Sequence, residues 1–232
     1  MINKKVLNML KNVSTATLTS ELLKLGFSNT FMHGVKPIQG NTQIVGEAFT
    51  LRYIPSREDF DYKIEYDNKT NKQRIAIEAI APGEVLVIDA RGETNAGTLG
   101  DILSTRLQYK GVSGLVTDGA LRDTPSIKKI NFPAYAKAAH ASVSSVVHHP
   151  AEFQVPIGCG GVMVRPKDII FGDEEGIVVI PRHLLKEVAQ KSCEREYLEN
   201  WIQSKISKGA NINNVYPPNE ETLQEFEEWK NS

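Results

Sequence analysis

Three residues invite a chemical reading. Twenty residues separate Asp101 from the adjacent Arg122 and Asp123. Two carboxylates can hold a hard divalent cation such as Mg2+, which keeps several waters and takes few protein ligands. Arg122 offers a planar fork of donors for a carboxylate or a keto oxygen. A cation, an arginine and a helix end together would stabilise an enolate. Taken singly, each residue also has a plain reading. Arg122–Asp123 can be a surface ion pair with a helix cap ahead of Thr124-Pro125, and Asp101 can simply favour a helix dipole.

Joint chemistry requires elements that bring the three together. Ala81-Pro-Gly-Glu-Val-Leu-Val-Ile-Asp89 reads as a turn into an apolar strand. The loop Arg91–Gly100 follows, with Gly92, Gly97 and Gly100, and runs into a helix start whose free N–H groups attract an anion; a tight turn is its bland alternative. Leu99, Ile102, Leu103 and Leu107 mark the buried face of that helix, which ends near Gly111, and Asp101 lies off that face. Gly114-Leu-Val-Thr117 is the next strand, completing a βαβ unit. If its two strands are adjacent and parallel, the loops carrying Asp101 and Arg122-Asp123 open on one crevice.

Elsewhere, Ser14 caps an amphipathic helix with Leu18, Leu22 and Leu25 on one face and Gly26 as its stop. Gln43–Pro55 reads as extended, with Gly46 as a candidate bulge. Ser56–Gln73 reads as a solvated excursion. Short strands are expected around Phe132, Gly161, Asp168 and Gly176, with Asp173-Glu174-Glu175 as a hairpin turn, then a long helix from Pro181 to about Lys208. The tail from Asn211 is expected to pack on a neighbour or on solvent. His148-His149 reads as a loop or surface pair, His140 as a possible substrate contact, and Cys159 as a small packed residue.

With 41% hydrophobic and 24% charged residues the composition is that of a globular α/β chain. A net charge of −1 gives no case for nucleic acid or an anionic membrane. No apolar run approaches a membrane span, two cysteines are no disulfide framework, and the N-terminus has no signal-peptide core, so a cytoplasmic protein is expected. No G-x-G-x-x-G loop for a methyl-donor cofactor is present.

Asp101, twenty residues, Arg122-Asp123 resembles the D-x20-R-D signature of the RraA-like superfamily, and more narrowly of the metal-dependent class II pyruvate aldolases acting on 4-hydroxy-4-methyl-2-oxoglutarate and 4-carboxy-4-hydroxy-2-oxoadipate. "STATLTSELLKLGF", "APGEVLVID", "GVSGLVTDGALRD" and "GCGGVMVRPKDIIFGDEEGIVVIP" are similar to further segments of that family. The resemblance covers residues 14–209 and implies one domain over 1–209, with 210–232 as a C-terminal extension. It implies a swivelling β/β/α-type fold with a βαβ core, assembled as a homotrimer or homohexamer with sites between subunits. Asp123 would bind Mg2+, Mn2+ or another divalent metal, and Asp101 would hold a water on it. Arg122 would bind and polarise the 2-oxo acid, with Gly97, Gly100, Ile102 and Leu103 among the substrate-binding positions. Glu199 or Glu196 of a neighbouring subunit would complete the water shell. The implied activity is cleavage of a 2-oxo-4-hydroxy acid to pyruvate, with oxaloacetate decarboxylation alongside. The alternatives are a non-catalytic, protein-binding regulator of ribonuclease and a sugar-acid lyase or dehydratase. Departures from the family pattern fall at Ser126, where an acidic residue is usual, and at Pro166-Lys167-Asp168 in place of P-G-D.

Overall fold

The structure is a computed structural model describing residues 3–40, 43–64 and 69–231. The chain opens with helices α1 (Lys4–Leu10) and α2 (Thr15–Lys24), followed by β1 (Lys36–Pro37), β2 (Ile44–Pro55), α3 (Glu58–Ile64), α4 (Lys72–Ala79) and β3 (Glu84–Asp89). Next come α5 (Asp101–Tyr109), β4 (Gly114–Thr117), β5 (Ala120–Leu121) and α6 (Thr124–Lys129). The remainder is β6 (Ala134–Ala136), β7 (Ala138–Ala139), β8 (His148–Phe153), β9 (Ile157–Cys159), β10 (Val162–Val164), β11 (Ile169–Asp173), β12 (Gly176–Ile180), α7 (Leu185–Ser207) and α8 (Glu220–Lys230).

The main sheet runs β1-β6-β4-β3-β2-β11-β12, with β8 also paired to β2. Its centre is parallel: β3 pairs in parallel with β2 and β4, and β4 with β6. Val85 to Ile88 are fully buried, because both faces of β3 are covered, and such a strand reads as one apolar run. Leu86 and Ile88 face a core shared with Ile77, Leu107 and Ile127 of α4, α5 and α6. Val85 and Val87 face an inner core with Tyr135, which the β9–β10 hairpin plugs through Ile157, Cys159, Val162 and Val164. On the far side, Phe171, Val178 and Ile180 pack with Leu18, Leu22 and Val188 of α2 and α7. The sheet curls strongly. A Cβ on Gly172 of β11 would lie 3.1 Å from the Tyr135 ring of β6, on the opposite half of the strand order. The result is a mixed α/β domain around a nearly closed sheet with the expected βαβ core.

Several expectations hold in detail. Ser14 caps α2, its Oγ accepting from the Thr17 N–H, and Gly26 leaves the helix at φ +89°. Asp173 and Gly176 flank the β11–β12 turn, and Cys159 is packed, with burial pushing its thiol up. Others need correction. Gly46 is no bulge. It is small because a Cβ there would fall 2.5 Å from the Gly83 carbonyl, and the irregularity of β2 lies at Arg52/Tyr53 instead. The polar excursion is largely helical and partly inward, since Asp61 and Gln73 are buried; residues 65–68 fall outside the described ones. His148 and His149 lie on β8, not in a loop. The tail folds back on its own chain: α8 packs Phe226 at a steep angle against Trp201 (5.4 Å) and edge-on against Tyr197 (5.6 Å) of α7. Among the described residues no helix is long and apolar enough to cross a membrane.

Candidate functional site

The loops after β3 and β4 are tied into one unit. Asp118 is buried, and its carboxylate accepts from Ala90 N–H (2.7 Å) and Gly92 N–H (3.0 Å). Thr98 N–H donates to Ala120 C=O (2.8 Å) and Arg122 N–H to Leu99 C=O (3.0 Å). Gly97 lies so close that a Cβ would fall 2.6 Å from Arg122 Cβ and 2.8 Å from its backbone nitrogen. The adjacent, parallel strands therefore do bring their exits together.

Asp123 holds a left-handed backbone, φ 56° and ψ 34°, which asparagine and aspartate tolerate better than most residues but at a cost of order 1 kcal/mol. It occupies the cap position of α6, yet its side chain makes no capping hydrogen bond, so the helix-cap reading fails. Its Oδ1 lies 3.7 Å from Arg122 Nε, and the two side chains are 38% and 43% exposed. A pair so exposed contributes at most about 1 kcal/mol, no more than the backbone conformation costs. Gly100, the N-cap of α5, has its missing Cβ 2.7 Å from Asp123 Oδ2. The first turn of α5 and the Asp123 carboxylate thus meet directly. Asp101 Oδ1 accepts from Ile102 N–H at 2.7 Å.

Gly97, Gly100, Asp101, Ile102, Leu103, Arg122 and Asp123 all line one cleft of ≈ 200 Å³. Ile102 departs from expectation: it is 80% exposed, because the buried side of α5 is carried by Ser104 and Leu107, while Ile102 stands in the first turn at the cleft. Glu196 and Glu199 do not line the cleft. Glu196 accepts from Ser14 N–H (2.9 Å) and Oγ (2.7 Å); burial opposes its ionisation, but those bonds hold its carboxyl below the usual value. Glu199 pairs with Arg195 at 2.7 Å. His140 turns inward on its own loop, accepting from Ser142 N–H, and is not a cleft residue.

Sequence reasoning missed the opposite wall. Gln73 Nε2 donates to Tyr53 Oη (2.5 Å) and to Thr98 C=O (2.7 Å), fastening α4 to the glycine loop. Asp61 bonds His149 Nδ1 at 2.5 Å and accepts from Arg57 N–H at 2.6 Å. His148 is 1% exposed, and burial lowers its pKa so that it is held neutral. Asp61 and Gln73 sit in a mostly polar and charged run, and no local spacing marks them. Gln73 is fixed by the buried Tyr53, which itself lies forty-five residues before Thr98.

The donor set suits a hard divalent ion. Among the described residues no cluster of three or more His, Cys, Asp or Glu could cage a metal, which argues against a closed site of the zinc type. Two partly exposed carboxylates beside open space suit an ion that retains water.

The fold and cleft define a class: an α/β domain with a ligand crevice at the carboxyl ends of parallel strands. Residues 15–179 match the RraA-like (Aldolase/RraA) family, and the chain belongs to it. It is 33% identical over 162 residues to a Halalkalibacterium halodurans protein named "Putative 4-hydroxy-4-methyl-2-oxoglutarate aldolase", covering 70% of this chain and 71% of that one. It is 28% identical over 207 residues to Protein DlpA of Legionella pneumophila, covering 89% of this chain but only 32% of that protein, so the chain spans about a third of its length. The solved structure of Streptomyces coelicolor RraAS2, described as an unusual member of the RNase ES inhibitor RraA protein family, superposes with a TM-score of 0.78 at 28% identity, covering 87% of this chain and 97% of that one.

Proposed function

We propose that this chain is a divalent-metal-dependent carbon–carbon lyase that cleaves a 2-oxo-4-hydroxy acid to pyruvate, and that oxaloacetate decarboxylation is a side activity. The observation that carries this reading is the meeting of Asp101, Arg122 and Asp123 in one cleft at the start of α5. The aldolase name of the Halalkalibacterium halodurans relative supports it.

Asp123 directly, and Asp101 through water, would hold Mg2+ or Mn2+, which supplies a Lewis acid for the charge that develops on the 2-keto oxygen. Backbone N–H groups of Gly100, Asp101 and Leu103 would orient the C1 carboxylate, where the helix dipole favours an anion, the Ile102 N–H being taken by Asp101. Arg122 donates to the keto oxygen, and its hydrogen bonds strengthen as that oxygen becomes an enolate. A water in the cleft acts as base and takes the proton of the 4-hydroxyl, the C3–C4 bond breaks, and its electron pair enters the C2–C3 enolate while C4 leaves as a carbonyl. A proton added at C3 gives pyruvate. In oxaloacetate the same bond releases CO2 and the same enolate. In a homotrimer or homohexamer, Glu199 or Glu196 of a neighbouring subunit would complete the site; within its own chain each is engaged, Glu199 with Arg195 and Glu196 with Ser14.

The reading is tested by pyruvate release from oxaloacetate and from 2-oxo-4-hydroxy acids, with Mg2+ and with EDTA. Release that stops in EDTA and returns with Mg2+ supports it. Equal release under both conditions sinks the metal dependence, and no release from any substrate sinks the lyase. The rival reading, a protein-binding regulator like the RNase-inhibitor relatives, needs no open Arg–Asp cleft and predicts that Arg122→Ala leaves function intact. A sugar-acid lyase or dehydratase would show itself by turnover of polyhydroxy acids in the same panel.

A further inference from the structure

The cleft holds a second arginine that the chemistry above leaves unused. Arg74 reaches it from the first turn of α4, a different wall from Arg122. Its backbone N–H is taken by Asn71 Oδ1 at 3.2 Å. Its side-chain Nε is buried without a hydrogen-bond partner, and among the described residues its guanidinium pairs with no carboxylate. Arg106, Arg182 and Arg195, by contrast, are each matched to a glutamate, and Arg52, whose Nε is also buried without a partner, still pairs with Glu152 through Nη2.

The carboxylates around Arg74 are already engaged. Asp61 bonds His149, Asp123 faces Arg122, and Asp101 accepts from the Ile102 N–H. Glu78, one turn along α4, is gripped by Arg106 at 2.7 Å. A half-buried cation with an unused donor is unfavourable unless an anion meets it. Its position is also fixed. Gln73 ties the first turn of α4 to Thr98 C=O, and Ala76 and Ile77 anchor the helix in the core, so Arg74 keeps a set relation to the loop that carries Gly100.

We infer that Arg74 is a specificity-determining residue that binds a second carboxylate, at the end of the substrate remote from its 2-oxo acid group, so that the cleft selects dicarboxylic over monocarboxylic 2-oxo acids. The planar guanidinium suits a carboxylate in two-point contact. The inference rests on the reading above that the Arg122 end takes the 2-oxo acid.

The test uses two ligands of equal length that differ only at C5: 2-oxoglutarate, with a carboxylate, and 2-oxopentanoate, with a methyl group. Calorimetry of the full chain with Mg2+ is expected to show 2-oxoglutarate binding at least ~10-fold tighter, as a charged hydrogen-bonded pair would give. Arg74→Gln removes that preference and changes 2-oxopentanoate affinity less than about twofold; Arg74→Lys, which keeps the charge but not the fork, retains part of the preference. The inference is overturned if the native protein binds neither ligand or shows no preference. It is equally overturned if Arg74→Gln weakens both ligands alike or leaves the preference intact. Should Arg74→Gln not fold, Arg74→Lys with the same pair decides, an unchanged preference counting against the inference. A protein that shows the preference but releases no pyruvate from any 2-oxo-4-hydroxy acid keeps this subsite and loses the lyase reading. An active lyase without the preference does the reverse.

Discussion

Gly100→Ala is the sharpest perturbation of the site that removes none of its charged groups. The new Cβ would stand 2.7 Å from Asp123 Oδ2, about 0.7 Å inside an ordinary 3.4 Å contact. Gly100 has φ −115°, so alanine brings no backbone strain, and the atom that must yield is the end of a side chain. Asp123 therefore moves, while the fold loses no more than ~1 kcal/mol, or roughly 2–4 °C in Tm for a chain of this size. A displacement approaching 1 Å of a group that positions the reaction costs on the order of 100-fold in rate. Gly97→Ala is the control. There the clash is with the Arg122 backbone nitrogen at 2.8 Å as well as its Cβ, so backbone must shift and ~1–3 kcal/mol of stability is lost too. The assay is steady-state pyruvate release beside calorimetric melting. A Gly100→Ala protein with native kcat/KM and native Mg2+ affinity would refute the placement of Asp123 at the reacting centre.

In the proposed mechanism Arg122 donates to the developing enolate, so Arg122→Ala should cut kcat about 100- to 1,000-fold, measured by the same assay with Tm nearly unchanged. Asp123→Ala should abolish turnover and calorimetric Mg2+ binding together. The buried His148 has its pKa lowered from the ordinary 6.5 by desolvation, with Arg91 also disfavouring the charge. The unfolded chain therefore binds the extra proton first, and stability falls as pH drops from about 6.5 through the lowered folded value. His148→Gln should flatten that part of the stability–pH curve, read by denaturant unfolding at pH 5 to 7. Removing residues 211–232 strips Phe226 and Trp229 from the rings of α7 and should lower Tm, with Phe226→Ala alone costing about 3 kcal/mol, while the released pyruvate per folded enzyme stays the same.

Much of this was legible in the sequence because it is encoded locally. The β3 run is uninterrupted since both of its faces are buried, and the glycines at 97 and 100 are needed where two loops touch. From those, the meeting of Asp101 with Arg122 and Asp123 follows once the strands are adjacent. The remainder depends on distant partners. Gln73 looks like one more polar residue until Tyr53 and Thr98 close around it. β8 carries Pro150 and two histidines and has no alternation to read, yet it pairs along β2 and buries His148. Ile102 follows helical spacing as a core residue, but it falls in the first turn of α5, beside an opening. The tail reads as packing on a neighbour or on solvent, because nothing local pairs its aromatic residues with those of α7 of the same chain, which they meet.

The most direct measurement is a crystal structure of the full chain grown with pyruvate and Mn2+, using the metal's anomalous signal to place the ion. The account predicts one Mn2+ beside Asp123, with the pyruvate carboxylate against the first turn of α5 and its keto oxygen within hydrogen-bond reach of Arg122. An ion and a 2-oxo acid that bind elsewhere, or a cleft that stays empty at saturating ligand, would contradict it.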